Sequence, residues 1–452
     1  MEAHGPEITT PSAAAHEASL RAAVTHAYEH IPFYKKKRPR TGAPALGGDP
    51  LSSALAGIPL LWKHQVRSTL PKEWAPEGRD VRAELESGEI ELVETSGSTG
   101  ERTRILWDKG WWLRQEERGM RTNPVVDRSM ANAARYRESI LTTPVCGLGA
   151  CHSGDLSFEE RKDEHRLFLN LRADPTFWKP SDSDRMLDEL GRHATAGLES
   201  DPMYLATLAR HAAATGRRID VTDFVTLTYA MTSEAHLRAI RPVLSAPIFQ
   251  LYGATEVGVL FMQGEGEGAL LHHCPITTHV ELLPVKAPTP GAEDVALVVV
   301  TTMDKIVQPL LRFVVGDLVR VDRSGPRLFT PVAPIRSAEG RLQDSLIRPD
   351  GAWVTAGALD RALGGEAGVA FYQANQVNPA SVVIDVVPEQ GARATLLAEI
   401  KERLAPLLAP LDVTLRLATG IAGEASGKFR LVRRQFTVDL GGLLDAGAGV
   451  TG

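Results

Sequence analysis

A chain of 452 residues with 43% hydrophobic and 23% charged content exceeds one ordinary core and is expected to form a globular enzyme of at least two domains. Its net charge of −6, with no Lys/Arg block beyond Lys35-Lys36-Lys37-Arg38, argues against a nucleic-acid partner. Three cysteines make no disulfide framework, no apolar window is long enough for a bilayer, and no basic region precedes an apolar run at the N-terminus. The expectation is a cytoplasmic protein without a membrane partner.

Up to about Asp80, Ala-rich helical segments alternate with prolines. Residues 90–93 and 105–107 read as strands on either side of a loop of glycines and hydroxyls with no hydrophobic residue, Glu94-Thr95-Ser96-Gly97-Ser98-Thr99-Gly100-Glu101-Arg102-Thr103. Glycine lets backbone N–H groups turn inward and hydroxyls add donors, which suits a polyphosphate, although an ordinary polar hairpin has the same composition. A Walker loop cannot be aligned here. Residues 109–121 suggest a helix with a bulky apolar face, on which the adjacent Trp111 and Trp112 read first as core anchors. Residues 185–217 read as helix, and 221–225 begin a new element. Residues 296–302 form a continuous apolar run, as a buried strand would. Beyond Gly340 the composition shifts. Residues 381–387 read as a strand, and Leu396, Ile400, Leu404 and Leu408 stand at helical spacing. Val413, Leu415 and Leu417 then alternate with polar residues, which together suggests a small closing α+β domain.

Four further segments carry chemistry. Tyr252-Gly253-Ala254-Thr255-Glu256 follows a strand-like stretch, and a carboxylate there is placed as one that holds Mg²⁺ on a nucleotide. Asp317 after Gly316 is able to accept both hydroxyls of a ribose. Glu339-Gly340-Arg341-Leu342-Gln343-Asp344 lies at the change of composition and suits an interdomain hinge. Ser426-Gly427-Lys428 presents a lysine on a flexible turn. Each alone has an ordinary structural explanation.

In this order, the loop and these four segments resemble the motifs of the adenylate-forming superfamily of acyl-CoA synthetases, aryl-CoA ligases and peptide-synthetase adenylation domains, over nearly the whole chain. Within it the phenylacetate-CoA ligase branch is the most similar, through His30-Ile31-Pro32-Phe33-Tyr34, Ile58-Pro59-Leu60-Leu61 and Asp201-Pro202-Met203-Tyr204-Leu205. The resemblance implies an α/β fold: a large N-terminal domain of layered subdomains, 1–342, and a small mobile C-terminal α+β domain, 343–452. It implies ATP, Mg²⁺ and coenzyme A as the small molecules used, and acyl-AMP as the intermediate. Thr95, Ser96, Gly97, Ser98, Thr99 and Gly100 would grip the leaving pyrophosphate. Ser233, Glu234, Tyr252 and Gly253 would form the adenine pocket, and Asp317 with Arg341 would hold the ribose. Glu256 would hold Mg²⁺ through ATP, Thr255 would steady the α-phosphate, and Lys428 would sit between carboxylate and phosphate. Gln343 would be the hinge. Trp111, Trp112, Tyr229, Met231, Tyr252 and Gly253 would form an apolar, aromatic acid pocket, favouring an aryl or arylacetic carboxylic acid. Acyl transfer to a carrier-protein phosphopantetheine or an amine, and a non-catalytic nucleotide-binding interaction protein, are the alternatives. Relatives of this branch imply a homodimer.

The departures are specific. Glu101-Arg102 stands where the superfamily has Pro-Lys, which moves the expected phosphate contact to Arg102 or Arg104. Gln343 stands where an acidic hinge residue is usual, and Thr232-Ser233-Glu234 where Gly-Glu is usual. Residues 323–339 contain no cysteine, whereas some relatives carry structural zinc ligands there. Cys146, Cys151, His152, His272, His273, Cys274 and His279 include enough ligand types for a tetrahedral site, but their spacings fit no finger pattern. Buried cysteines and exposed histidines are the expectation.

Overall fold

The computed structural model describes residues 13–37, 55, 57–95, 103–144, 156–172, 174–266, 268–274, 277–285, 294–328, 330, 332–363 and 368–437. Strands β1 (Ile90–Glu94) and β2 (Arg104–Asp108) pair antiparallel around the hydroxyl-rich loop. This is the strand–loop–strand unit expected there.

The central element is a twelve-stranded sheet. One half contains β3 (Glu138–Leu141), β4 (Lys162–Asp163), β5 (Arg166–Phe168), β6 (Gly197–Ser200), β7 (Phe224–Leu227) and β8 (Ile248–Ala254). Within it β3, β5, β6, β7 and β8 run parallel. The other half is antiparallel and contains β9 (Gly258–Gln263), β10 (Leu271–His273), β11 (Thr278–Pro284), β12 (Val295–Thr302), β13 (Phe313–Val321) and β14 (Ile335–Arg341). Strand β8 joins the halves, parallel to β7 and antiparallel to β9. All eight residues of β12 are buried, in keeping with its unbroken apolar sequence.

The helices that frame the site are α1 (Ala13–His30), α2 (Lys63–Thr69), α3 (Trp111–Met120), α4 (Pro180–His193), α5 (Pro202–Ala214) and α6 (Glu234–Ile240). The single helix expected over 185–217 is two helices with β6 between them. Ala194 ends α4 in the left-handed conformation. Pro202 opens α5 at a position where its missing N–H costs nothing, and the Asp201 side chain caps it by accepting from Met203 N. All four residues of β6, Gly197-Leu198-Glu199-Ser200, are buried, yet they form neither an apolar run nor an alternation that would distinguish a strand from a helix.

After β14 come β15 (Leu346–Ile347), β16 (Trp353–Val354), α7 (Ala356–Leu363), β17 (Val369–Asn378), β18 (Ser381–Pro388), α8 (Leu396–Leu408), β19 (Asp412–Leu417) and β20 (Val432–Arg434). The last four strands form a sheet in the order β19-β18-β17-β20. Helix α8 buries Leu396, Ile400, Leu404 and Leu408, the stripe read from spacing. At roughly 1.5–3 kcal/mol per buried aliphatic side chain, that stripe is the main force holding the helix on the sheet.

This closing unit packs on the parallel half of the large sheet. One apolar cluster runs from Leu198, Tyr204 and Leu208 to Phe371, Ile384 and Leu404. Arg210 and Arg238 donate to the carbonyls of Ala370 and Val369 at 2.6 and 2.5 Å. The backbone N–H of Glu234 donates to Asp360 Oδ2 at 3.0 Å.

Candidate active site

A cavity of about 750 Å³ lies at the carboxyl ends of β3, β6, β7 and β8, bounded also by the β1–β2 hairpin, β13–β14 and the turn bearing Lys428. Such a crevice, where the direction of strand pairing changes, is where open α/β sheets bind ligands.

The far wall is built by strand register. Asp317 on β13 is the cross-strand partner of Arg341 on β14, so residues distant in sequence enter the cavity side by side. Arg341 Nε lies 3.5 Å from Asp317 Oδ1, and the Tyr252 hydroxyl donates to Asp317 Oδ2 at 2.9 Å. Gly340 precedes Arg341 with φ of 92°, and a Cβ there would sit 2.8 Å from Ala356 Cβ. Only glycine fits both demands.

Glu256 follows β8 and is 3% exposed. Lys63 Nζ, from the first residue of α2, lies 2.9 Å from its Oε1. Burial is the largest influence and raises this carboxyl, but the charge and hydrogen bond of Lys63, a backbone hydrogen bond and the charge of Arg341 together outweigh it and hold Glu256 below the usual carboxylate range. Lys63 was not singled out from the sequence. The signal was a lone lysine opening a short helix after Ile58-Pro59-Leu60-Leu61, a segment read only as a sign of kinship.

Lys428 reaches the same cavity from the closing unit. Its turn is fixed by Glu424 N donating to Lys428 O at 2.8 Å and Gly427 N donating to Glu424 O at 2.7 Å. The Tyr204 hydroxyl donates to Gly427 O at 3.0 Å, and Arg430 pairs with the buried Asp344. Burial, and the like charge of Arg341, lower the Lys428 pKa, opposed by Asp201, Asp317 and Glu256. The charges of these three carboxylates thus favour the cation that burial disfavours. Asp201 and Tyr204 belong to the segment read above only as a branch resemblance; in the fold Tyr204 docks the lysine turn, and Asp201 caps α5 and acts on Lys428 through its charge.

No protein-family model matches the chain, and no curated protein matches it by sequence. Solved structures do match it. 2-Hydroxyisobutyryl-CoA ligase, in the postadenylation state in complex with 2-HIB-AMP, aligns over 96% of this chain and 94% of its own, with a TM-score of 0.66 and 15% identity. The same ligase in the thioesterification state with 2-HIB-AMP and CoA aligns over 96% and 95%, with a TM-score of 0.52 and 16% identity. The anthranilate CoA ligase AuaEII with anthranoyl-AMP aligns over 75% and 65%, with a TM-score of 0.52 and 13% identity.

The fold is that of the adenylate-forming ligases.

Within this adenylate-forming fold the expected site residues separate into three groups. Thr95, Tyr252, Gly253, Thr255 and Glu256 line the cavity, as do Asp317, Arg341, Gln343 and Lys428. So do Trp112, Tyr229 and Met231 from the expected acid pocket. Ser96, Gly97, Ser98, Thr99, Gly100 and Arg102 lie outside the described residues. At the base of that loop, Thr95 N donates to Thr103 O at 2.9 Å and Thr103 N to Thr95 Oγ1 at 3.0 Å.

Four expected residues are not in the wall. Trp111 is 1% exposed and donates from Nε1 to Asp304 Oδ1 at 3.0 Å. It is a core anchor, and Trp107, stacked on Trp112 at 5.2 Å between ring centroids, takes the wall position. Adjacent helical residues point about a quarter-turn or more apart, so the two tryptophans do not share one surface. Ser233 caps α6 by accepting from His236 N at 3.2 Å, and Glu234 is the acidic first-turn residue of that helix. The pair is thus a helix start, and the wall runs through Thr228–Thr232 instead. Arg104 is ion-paired to Glu94 at 3.1 Å and is likewise absent from the wall.

The histidines expected to be exposed are largely enclosed. His273 is 2% exposed, between Thr278 and Thr330, and His279 contacts His16 at 3.2 Å. Cys274 is buried, its sulfur 3.6 Å from Thr122 Oγ1. Cys146, Cys151 and His152 lie outside the described residues. Among the described residues no group of three or more His, Cys, Asp and Glu side chains is placed to hold a metal ion, and no helix is long and apolar enough to cross a membrane.

Proposed function

We propose that this protein activates a carboxylic acid with ATP, giving acyl-AMP and pyrophosphate, and then passes the acyl group to coenzyme A. The observation that carries the reading is the meeting of Lys428 with Glu256, Asp317 and Arg341 in one cavity. A ribose-holding acid, a buried ionised carboxylate and a desolvated cation from the tail are the groups this reaction needs.

In the first step a carboxylate oxygen attacks the α-phosphorus. The carboxyl-to-phosphorus bond forms as the α–β bridge breaks, and pyrophosphate leaves with the electron pair. Both reactants are anions, so catalysis consists of cancelling charge and fixing alignment. Lys428 is assigned to the space between the carboxylate and the phosphate. Asp317, oriented by Tyr252 and Arg341, accepts the ribose hydroxyls, Thr255 steadies the α-phosphate, and the 95–100 loop grips the pyrophosphate. Glu256 is a hard, ionised oxygen donor that fits Mg²⁺, which when bound with ATP neutralises phosphate charge. Lys63 supplies a further cation at the same carboxylate.

In the second step the coenzyme A sulfur bonds to the acyl carbon, AMP leaves with its electron pair, and the thiol proton passes to solvent. We assign residues 1–342 to a nucleotide- and acid-binding domain and 343–452 to a domain that turns about Gln343 between steps. The greater similarity to the postadenylation-state structure than to the thioesterification-state structure supports reading the described pose as the adenylating one. Trp107, Trp112, Tyr229 and Met231 favour a flat aryl or arylacetic acid.

Carboxylate-dependent ATP–pyrophosphate exchange across a panel of acids tests the proposal, with coenzyme A, a carrier protein and amines compared as acceptors. Exchange with at least one acid and AMP release dependent on coenzyme A are expected. ATP binding without exchange from any acid would overturn it.

A further inference from the structure

The cavity wall that carries Trp112, Tyr229 and Met231 also carries two carboxylates, Glu116 and Glu199. An apolar aryl group has no use for either, and a buried carboxylate without a partner is costly.

Glu199 lies on β6 and is 2% exposed. Among the described residues its direct hydrogen bond comes from the Tyr229 hydroxyl to Oε1, leaving Oε2 without a partner. Tyr229 itself holds a left-handed backbone, φ of 69°, which a non-glycine residue adopts only when its surroundings impose it. Glu116, on α3, accepts from Trp112 Nε1 at 3.2 Å through Oε1. Arg166 is 3.9 Å from its Oε2, too far for a hydrogen bond.

Arg166 is committed elsewhere. Its Nε donates at 2.9 Å to Glu138, which also accepts from Tyr136 at 3.1 Å, and Glu138 is not part of the cavity wall. Three carboxylates therefore share one guanidinium, and that guanidinium serves the one away from the ligand. Burial, and then the charge of Glu138, push the Glu116 carboxyl up to about 7. Burial, Glu116 and Glu138 likewise push Glu199 well above the carboxylate range. Both shifts express a missing counter-cation.

The same cavity holds cations in Lys63, Arg341 and Lys428. A carboxylate to be activated belongs with those, and the remainder of the acid extends to the other lining groups. We infer that the acid carries a protonated primary amine on the side away from its carboxylate, and that Glu199 and Glu116 receive it. This rests on the ligase reading and narrows its substrate class from aryl acids in general to amine-bearing ones. Glu199 and Glu116 are specificity-determining rather than catalytic. A site built to bond an N–H rejects the analogue without it, because its own polar groups are left unpaired.

The test is pyrophosphate exchange with matched pairs of acids. Para-aminomethyl and para-ethyl forms of benzoate, phenylacetate and phenylpropionate would be compared, with amino- and methyl-terminated aliphatic acids of equal length. The amine-bearing member of at least one pair is expected to exchange with kcat/KM higher by about a hundred-fold or more. Glu199→Gln, or Glu116→Gln should the first variant fold poorly, is expected to shrink that ratio at least ten-fold. Equal or better use of the ethyl and methyl members throughout would overturn the inference while leaving the ligase reading intact, as would an unchanged ratio in both variants. No exchange with any acid, by protein that binds ATP, would overturn both.

Discussion

The Tyr204 hydroxyl donates a 3.0 Å hydrogen bond to the carbonyl of Gly427, the residue before Lys428. Tyr204 is on α5 beneath the parallel strands and Gly427 is in the closing unit, so this bond holds the lysine in the cavity only while the two parts are docked. Tyr204→Phe removes it and leaves a buried carbonyl short of a donor. At roughly 1–1.5 kcal/mol for a bond of this kind, pyrophosphate exchange is expected to fall about five- to ten-fold. Thioester formation from supplied acyl-AMP, measured in the same protein, is expected to change less.

Lys428→Ala should lower exchange by about a hundred- to a thousand-fold, the usual consequence of removing one preorganised charge. It should not lower the thermal midpoint near neutral pH. Because burial and Arg341 lower the folded-state pKa, folding disfavours the charged form, and that penalty is relieved as pH rises past the lowered value. The cation needed for exchange is lost over the same rise, so wild-type activity should decline there. A midpoint drop in Lys428→Ala, or exchange within a few-fold of wild type, would refute the assignment.

Gln343 sits in the single 3₁₀ turn Leu342–Asp344, directly after the last strand of the large sheet. Proline there restricts the backbone about which the closing unit is proposed to turn. Gln343→Pro should spare exchange and suppress coenzyme A-dependent AMP release. Equal loss of both activities would place the pivot elsewhere.

Lys63→Met takes the cation from a carboxylate that is 3% exposed. Lys63 itself is about one-third exposed, so solvent screens part of the pair and the loss should be roughly 1–2 kcal/mol, less than for a fully buried pair. The Glu256 pKa is depressed in the folded protein. Its contribution is therefore present above the ordinary carboxylate pKa and lost as pH falls through the lowered value. Denaturation of wild type and Lys63→Met should differ most at neutral pH and converge in acid. Adding Glu256→Gln should recover much of the loss, which a double-mutant cycle measures.

The two adjacent tryptophans should separate by phenotype. Trp111→Phe removes the bond to Asp304 from a filled core and should cost roughly 1–3 kcal/mol of stability without changing the order of preference among acids. Trp112→Phe changes the wall and frees Glu116 of its Trp112 donor. It should alter that order at little cost in stability. Chemical denaturation and the acid panel together read both effects.

How legible this was depended on whether a residue's role is local. The buried run of β12 and the Leu396–Leu408 stripe were plain because burial imposes a period on neighbouring residues. The cavity-lining segments around Tyr252, Asp317, Arg341 and Lys428 were plain as ordered motifs. The pairing of Asp317 with Arg341 was not, since register between strands is a property of the assembled sheet. Ser233 and Glu234 misled because a helix cap and an adenine-pocket motif draw on the same polar residue types. Lys63 and Tyr204 stood only beside or within segments that marked kinship, and Glu199 gave no local signal. Each matters only for what it faces across the fold, and a single lysine, tyrosine or glutamate on a short element is otherwise unremarkable.

Strand β8 belongs to both halves of the large sheet, bonded to β7 on one side and β9 on the other. The residues at its end therefore share one rigid baseline with Thr228–Thr232 beside them and, through the antiparallel strands, with Asp317. Sliding one half against the other would break the β7–β8 or the β8–β9 ladder. Under the proposed reaction, the spacing between nucleotide and acid would thus be set in the scaffold before either arrives. The turn that carries Lys428 is mounted off that scaffold, so the proposed motion would fall to it while the sheet stays fixed.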